Sequence, residues 1–327
     1  MPPATNPESP KQCAEVTRQE WRFDVSEAFQ NASRLEVAAT FVAPTGVPTR
    51  ALLVCLPGGF LSRGYFDLCV AGDRSYSFAE AMAASGFASL ALDHLGTGES
   101  SKPDDGWMLD ADALARANQY ALEAALERLQ RDGTPKVPVI GIGHSMGSCM
   151  AVVQQANHVP YSGLVLFSFS TLGLRSFLQG REAEVANDDA AIRSRIIELA
   201  KERFTSATPS DELDATHPAF GVGTAPSKTA AALDEAATGI LPIPALLAMI
   251  PGGYAPWAKQ VRVPTLVVYG DHDLPGSERG ANESLPNATL DTFMLEDCWH
   301  CHFVANTRDT LFTRVASWID AALPPHD

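Results

Sequence analysis

VPVIGIGHSMG, residues 137–147, is an apolar run that leads directly into a serine flanked by glycines. The run predicts a buried strand that ends in a very sharp turn, with Ser145 at its tip and a helix leaving behind it. Such a turn strains the backbone at the serine and crowds its neighbours, so only small residues such as Gly143 and Gly147 fit there. The strain holds the hydroxyl out where a histidine and a substrate carbonyl can reach it. We therefore predict that Ser145 is a nucleophile.

A serine hydroxyl is a weak nucleophile at its ordinary pKa and needs an adjacent base, which a third group orients. The acid is expected just past a late strand, and the stretch LVVYGDHD, residues 266–273, favours Asp273, with Asp271 as the second choice. The base is expected after the following strand, where His302 is favoured over His300 because it directly precedes the final helix. Histidine suits this role because its unperturbed pKa of about 6.5 lets it take and return a proton at neutral pH.

An acyl-transfer site also needs donors for the oxyanion of the tetrahedral intermediate. The backbone N–H of Met146 is one candidate, since it lies at a predicted helix N-terminus with a favourable dipole. The second donor is expected from the loop PGGF, residues 57–60, which follows the third strand. Within that loop either Gly59 or Phe60 could donate.

Strand-like and helix-like segments alternate along most of the chain. The apolar run 88–92 predicts a strand covered on both faces, and residues 111–131 carry the apolar stripe of a long helix. This alternation favours an α/β fold with a mainly parallel sheet and helices on both sides. The Pro-rich and polar residues 1–19 predict a loose N-terminal extension.

The alternation breaks between about residues 172 and 258. Its pattern predicts an amphipathic helix at 189–204, followed by a polar loop with several Pro and Gly and an apolar piece at 240–250. We predict a mainly helical cap inserted between the sixth and seventh strands.

The order serine, acid, histidine, the turn after a buried strand and the loop DHLGTGES at residues 93–100 together resemble the α/β-hydrolase superfamily. The resemblance covers about residues 20–171 and 259–327, which would form the core, and the cap lies where many members carry a lid. It implies an eight-stranded, mostly parallel sheet. Two positions depart from the usual pattern: Pro57 replaces the usual His before the oxyanion loop, and Cys301 replaces the usual Gly before His302.

The bulk properties restrict the partners. A formal net charge of −15 disfavours nucleic acid and anionic membrane surfaces. The start of the chain lacks a basic-then-apolar signal pattern, and no apolar run approaches the roughly 20 residues of a membrane span, so a cytoplasmic location is expected.

The stretch CWHCH, residues 298–302, matches the pattern for haem attachment or a redox cysteine pair, but neither export nor a thioredoxin-like pattern accompanies it. No cofactor and no metal are expected.

A serine nucleophile indicates acyl transfer to water through an acyl-enzyme, and it argues against the aspartate-based dehalogenases and epoxide hydrolases of the same superfamily. The apolar cap suggests a roofed pocket for a medium-sized apolar ester or lactone, with resorcylic macrolactones as one example. The alternatives are an acyltransferase or carbon–carbon bond hydrolase on the same triad, a non-catalytic ligand sensor, and a cysteine-based redox or haem protein. The oligomeric state stays open, a homo-oligomer included.

Overall fold

Eight strands form one sheet in the part of the chain that the structure describes. This computed structural model describes residues 15–29, 33–207, 222–274 and 280–323. In chain order the strands β1 to β8 are Val16–Asp24, Glu36–Pro44, Leu52–Leu56, Ala88–Leu92, Val139–His144, Gly163–Phe167, Thr265–Gly270 and Leu290–Leu295. They are arranged β1-β2-β4-β3-β5-β6-β7-β8. β2 pairs antiparallel with both β1 and β4, and the other five pairings are parallel. The predicted α/β-hydrolase sheet is confirmed.

Helices cover both faces of this sheet. In the described residues the helices α1 to α9 are Phe78–Ala84, Ala111–Arg131, Met146–His158, Asp189–Arg203, Thr229–Glu235, Pro242–Met249, Ala255–Ala258, Ala281–Ser284 and Arg308–Ala322. Side chains of α2 and α3 join one buried apolar cluster, and those of α1 and α9 join a second. The sheet lies between the two clusters.

Strand β3 shows why the central strands are apolar throughout. Leu52, Val54 and Leu56 belong to the cluster of α2 and α3, whereas Leu53 and Cys55 belong to the cluster of α1 and α9. Successive side chains of a strand point to opposite faces, so a strand covered on both sides needs apolar residues at every position.

The N-terminal strand begins earlier than predicted. β1 starts at Val16, inside the region expected to be a loose extension, and pairs with β2 from Val16 opposite Pro44 to Asp24 opposite Glu36. Its first half is polar because it lies at the sheet edge, where Arg18 bonds to the Asp67 carboxylate at 2.6 Å. The polar composition of residues 16–19 led the sequence analysis to assign an edge strand to the loose extension. Residues 1–14 of the predicted extension lie outside the described residues.

Helices α4 to α7 lie between β6 and β7, where the break in alternation predicted an insertion. We call residues 172–258 the insert. α4 agrees with the predicted amphipathic helix to within one residue, and α6 forms inside the predicted apolar piece. Apolar side chains of both helices join the cluster of α2 and α3, so the insert shares the core of the sheet domain. Residues 208–221, part of the predicted polar loop, lie outside the described residues.

Among residues 15–29, 33–207, 222–274 and 280–323, no helix has both the length and the apolar composition that crossing a bilayer requires.

Candidate active site

Ser145 lies at the tip of the turn between β5 and α3. Its φ of 54° and ψ of −120° are strained for a residue with a side chain. A Cβ added at Gly143 would lie 2.3 Å from Cα of Ser148, and one at Gly147 would lie 2.0 Å from the carbonyl oxygen of Leu56. Both positions therefore require glycine. Ser145 is partly exposed although the residues on either side of it are buried.

The first helical residue after the serine is Met146, whose N–H has no acceptor within α3 because the first N–H groups of a helix lack an intrahelical partner. The helix dipole adds positive potential at this end. The N–H of Ser145 donates to the carbonyl of Phe167 at 2.8 Å, which ties the turn to the end of β6. An oxyanion formed at Ser145 would thus meet a donor at Met146.

The loop after β3 lies directly against this turn. A Cβ at Gly58 would come 2.7 Å from Nδ1 of His144 and 3.1 Å from Cβ of Ser145. Phe60 has a φ of 65°, again unusual for a residue with a side chain. The N–H groups of Gly59 and Phe60 donate no hydrogen bond to any described residue. Both predicted second donors therefore lie in the loop beside the serine, and neither has an acceptor among the described residues.

The DHLGTGES stretch braces this loop. The buried ring of His94 bonds through Nε2 to the carbonyl of Pro57 at 3.0 Å. Burial lowers the pKa of His94, so the ring is neutral and its Nε2–H donates. Asp93 is fully buried and accepts the N–H of Arg63 at 2.7 Å as well as its guanidinium. His94 therefore holds the loop that carries Gly59 at Pro57, and Asp93 holds it at Arg63.

Asp273 lies just past β7, and its side chain is fully buried. Oδ1 accepts the N–H of Leu274 at 2.7 Å and Nδ1–H of His300 at 2.8 Å, while Oδ2 accepts the hydroxyl of Ser168 at 2.5 Å. Burial raises the pKa of Asp273, but interactions with His300 and His302 outweigh it and hold the pKa well below its ordinary value. Asp273 is therefore an ionised carboxylate facing two imidazoles.

Asp271, the second candidate for the acid, bonds to the backbone of the loop that follows β8. Its carboxylate accepts the backbone N–H groups of Asp297 at 3.0 Å and Cys298 at 2.9 Å. It therefore ties the turn after β7 to the loop that carries the histidines. The structure brings Asp273, and not Asp271, to the imidazoles.

Both candidate histidines contact Asp273, but in different orientations. His300 presents Nδ1 to the carboxylate at 2.8 Å, the nitrogen through which the acid orients the histidine of a Ser-His-Asp triad. His302 presents Nε2 at 3.4 Å, is completely buried near the ring of Phe167, and has neither ring nitrogen in a hydrogen bond of good geometry. The Nδ1 contact makes His300 a candidate base beside His302, which the sequence favours.

His144, the residue before the serine, was not considered from sequence. Its Nε2 donates to the backbone carbonyl of His300 at 2.9 Å, and the two rings lie 4.8 Å apart. Burial and the neighbouring histidines lower the pKa of His144 well below its ordinary value, so this donor is neutral. His144 thus links the serine turn directly to the loop of His300.

Ser168 was also missed. It follows β6 with a φ of 57° and bonds to Asp273, and it lies with Ser145 in the lining of one small cleft. No local sequence signal marks a serine that reaches a carboxylate 105 positions away. In the ranges that the structure describes, no group of three or more His, Cys, Asp or Glu side chains could hold a metal ion.

A serine at a strained strand-to-helix turn, with an acid after β7 and a histidine after β8, defines the class of α/β-fold proteins that carry a Ser-His-Asp constellation. A model of the alpha/beta hydrolase family matches residues 53–311. Because this match spans most of the chain, the protein belongs to that family.

Solved structures agree on the fold. The chain is similar to a monoglyceride lipase from Saccharomyces cerevisiae (14% identity, TM-score 0.61, covering 98% of this chain and 100% of the other). It is also similar to a thermostable carboxyl esterase from Bacillus coagulans (18% identity, TM-score 0.59, covering 93% of this chain and 98% of the other). A bromoperoxidase from Bacillus anthracis is similar as well (20% identity, TM-score 0.53, covering 92% of this chain and 99% of the other). No curated protein matches significantly. At these identities the likeness establishes the fold, and the differing names show that it does not establish the reaction.

Proposed function

We propose that this protein is a serine hydrolase that cleaves a carboxylic ester or lactone of a medium-sized apolar molecule. The observation that carries the proposal is the combination of a strained, partly exposed Ser145 with a buried, ionised Asp273 bonded to Nδ1 of His300. Two of the similar structures are named as a lipase and an esterase, which supports ester chemistry.

In the proposed reaction Nε2 of His300 takes the proton from the Ser145 hydroxyl as the oxygen attacks the substrate carbonyl. The N–H of Met146 and that of Gly59 or Phe60 stabilise the resulting oxyanion. The imidazolium then gives its proton to the leaving alkoxide, and an acyl-enzyme remains. Water, activated by the same imidazole, attacks the acyl-enzyme and releases the acid and the free serine.

The insert acts as the cap in this proposal. Its Thr238 N–H donates to the carbonyl of Phe60 at 2.8 Å, and Ala237 pairs with Leu61 in a short antiparallel bridge. A Cβ added at Gly59 would touch the side chain of Ile240 at 2.8 Å. These contacts hold the insert against the oxyanion loop, where it can exclude water and line an apolar pocket.

The proposal is tested by labelling with a fluorophosphonate probe and by turnover of p-nitrophenyl esters. We expect a single label at Ser145, and Ser145→Ala should lose both the label and about 10⁶-fold in kcat. Ser162→Ala, which changes an exposed serine, should retain both. Labelling at another residue, or none in folded protein, would remove the hydrolase proposal and favour a ligand sensor.

A further inference from the structure

One oxygen of the Asp273 carboxylate depends mainly on a single hydroxyl. Oδ2 accepts the hydroxyl of Ser168 at 2.5 Å, whereas the N–H of Gly270 and Nε2 of His302 each lie 3.4 Å from it. Distances above about 3.2 Å exceed the usual length of a hydrogen bond from an N–H donor. A hydroxyl that donates to an ionised carboxylate makes a short, strong bond. Ser168 therefore makes the strongest of these three contacts to Oδ2.

The backbone at Ser168 connects the nucleophile to the strand that carries the acid. The carbonyl of Phe167 accepts the N–H of Ser145 at 2.8 Å, and the N–H of Ser168 donates to the carbonyl of Val268 on β7 at 2.9 Å. The side chain of Ser168 then reaches Asp273, which lies just past β7. One peptide unit and its side chain thus fix the serine turn, β7 and the acid relative to one another.

Ser168 keeps its side chain at the cost of backbone strain. Its φ is 57°, in the left-handed region that glycine adopts without strain. Strained residues of this kind persist where the surrounding structure holds them, and they cluster at functional sites. The strain at Ser168 therefore indicates a use for its hydroxyl.

The hydroxyl restricts rotation of the carboxylate. The terminal torsion of an aspartate side chain has broad energy wells, so contacts of its oxygens must fix the plane of the group. In a Ser-His-Asp triad the acid holds the imidazole in one tautomer and one orientation. If Oδ2 of Asp273 lost its short bond, the plane could turn, and the imidazole would lose an acceptor of fixed direction.

We propose that Ser168 is a positioning residue for the proposed reaction: its hydroxyl fixes the plane of the Asp273 carboxylate and, through it, the imidazole that serves Ser145. The inference rests on the proposed ester hydrolysis and adds to it a residue that acts through the acid. It holds whichever of His300 and His302 supplies that imidazole, because both contact Asp273.

Two substitutions separate the hydroxyl from the backbone conformation. Ser168→Gly and Ser168→Ala both remove the hydroxyl, but only glycine also relieves the strain. We expect both to lower kcat for p-nitrophenyl acetate about 10–100-fold, the cost of a small misplacement in an active site, while KM stays within about twofold of the wild type. Ser168→Thr, which restores a hydroxyl, should recover most of kcat. Circular dichroism checks that each variant is folded.

Two kinetic outcomes would overturn the proposal. An unchanged kcat in both Ser168→Gly and Ser168→Ala would show that Ser168 serves only the backbone turn. A raised KM with an unchanged kcat would show that the hydroxyl binds the substrate and does not act through the acid.

Ser148→Ala is the matched control. The hydroxyl of Ser148 is also buried, and it donates at 2.8 Å to the carbonyl of Phe167, the residue before Ser168. Its removal loosens the end of β6 but keeps the bond to Asp273, so kcat should stay within about twofold of the wild type. Equal losses in Ser148→Ala and Ser168→Ala would contradict a specific role of the bond to the acid.

Proton NMR gives a readout that does not require turnover. The proton between Nδ1 of His300 and Asp273 is identified by its loss in His300→Gln. Its resonance should move in Ser168→Gly and stay in place in Ser148→Ala, because hydrogen bonds that share a carboxylate polarise one another. An unmoved resonance in Ser168→Gly would reject the positioning role. If the resonance moves but a fluorophosphonate does not label Ser145, the proposed hydrolase fails while the effect of Ser168 on the acid is retained.

Discussion

Three residues with side chains adopt left-handed backbone conformations around one site: Phe60, Ser145 and Ser168, with φ of 65°, 54° and 57°. Such conformations cost of order 1–3 kcal/mol each, and they persist where the surrounding structure holds them. Phe60 carries one of the two candidate second oxyanion donors, Ser145 the proposed nucleophile, and Ser168 a hydroxyl that bonds to Asp273. Of the seven non-glycine residues with positive φ in the described part of the chain, three therefore lie at the candidate active site.

The two histidines next to Asp273 can be distinguished by substitution. We expect His300→Ala to lose about 10⁴-fold or more in kcat, because the serine then lacks its base. His302→Gln should keep most of its turnover, because His302 is enclosed in the interior and presents Nε2 to the acid. Steady-state kinetics with a p-nitrophenyl ester measures both variants.

Circular dichroism serves as the control, since both variants must retain the folded spectrum for the comparison to hold. If His302→Gln were inactive and His300→Ala active while both stayed folded, the preference from sequence would be restored and the assignment from geometry would fail.

Within the insert, α4 is attached by a buried ion pair. Arg203 on this helix bonds to both carboxylate oxygens of Glu182, and the two side chains are 6% and 5% exposed. Glu182 also accepts the N–H of Gln179 at 2.7 Å. Removing one member of such a pair leaves an uncompensated buried charge, whereas exposed pairs on the same helix contribute little.

We predict that Arg203→Met lowers the free energy of unfolding by about 3–5 kcal/mol, because the Glu182 carboxylate is left buried without its partner. Adding Glu182→Gln should recover much of this loss, since no charge then remains unpaired. Urea denaturation followed by tryptophan fluorescence measures both.

Arg181→Met is the matched control, because it removes exposed ion pairs to Glu198 and Glu202 on the same helix. Its urea midpoint should stay close to that of the wild type. Equal losses in Arg181→Met and Arg203→Met would show that burial of the pair is not what stabilises the insert.

Buried neutral histidines make the stability of the fold depend on pH. Burial lowers the pKa of His94, and burial with the neighbouring histidines lowers that of His144, in each case from an ordinary value of 6.5. Below pH 6.5 the unfolded chain therefore binds protons that the folded protein does not. Stability must then fall as the pH falls from 6.5 towards the lowered pKa values.

We predict a slope of up to about 1.4 kcal/mol per pH unit from each of these histidines between pH 6.5 and pH 5. His144→Gln, which keeps a donor for the carbonyl of His300, should reduce the slope of the wild type over this interval. Urea midpoints at pH 5, 6, 7 and 8 measure it. Above pH 7, where unfolded histidine is neutral, the two proteins should show the same slope, and an unreduced slope below pH 6 would contradict the role of His144.

Features with a local cause could be predicted from the sequence. The strand Ala88–Leu92 and the helix Ala111–Arg131 begin and end where their apolar patterns do, because hydrophobic periodicity is a property of neighbouring residues. The strained turn at Ser145 is likewise local, since Gly143 and Gly147 lie within two positions of it. The alternation of such segments was sufficient to indicate the mainly parallel sheet.

Features that join distant parts of the chain could not be predicted. The choice between His300 and His302 depends on which ring nitrogen faces Asp273, and two histidines with one residue between them give no local signal of this. Ser168 reaches Asp273 across 105 positions and His144 reaches the carbonyl of His300 across 156, through contacts that exist only once β5, β6 and β7 lie side by side. Residue pattern specified the elements and the strained turn at Ser145. Packing of the folded chain selected the partners of Asp273, because a hydrogen bond depends on distance in space and not on distance along the sequence.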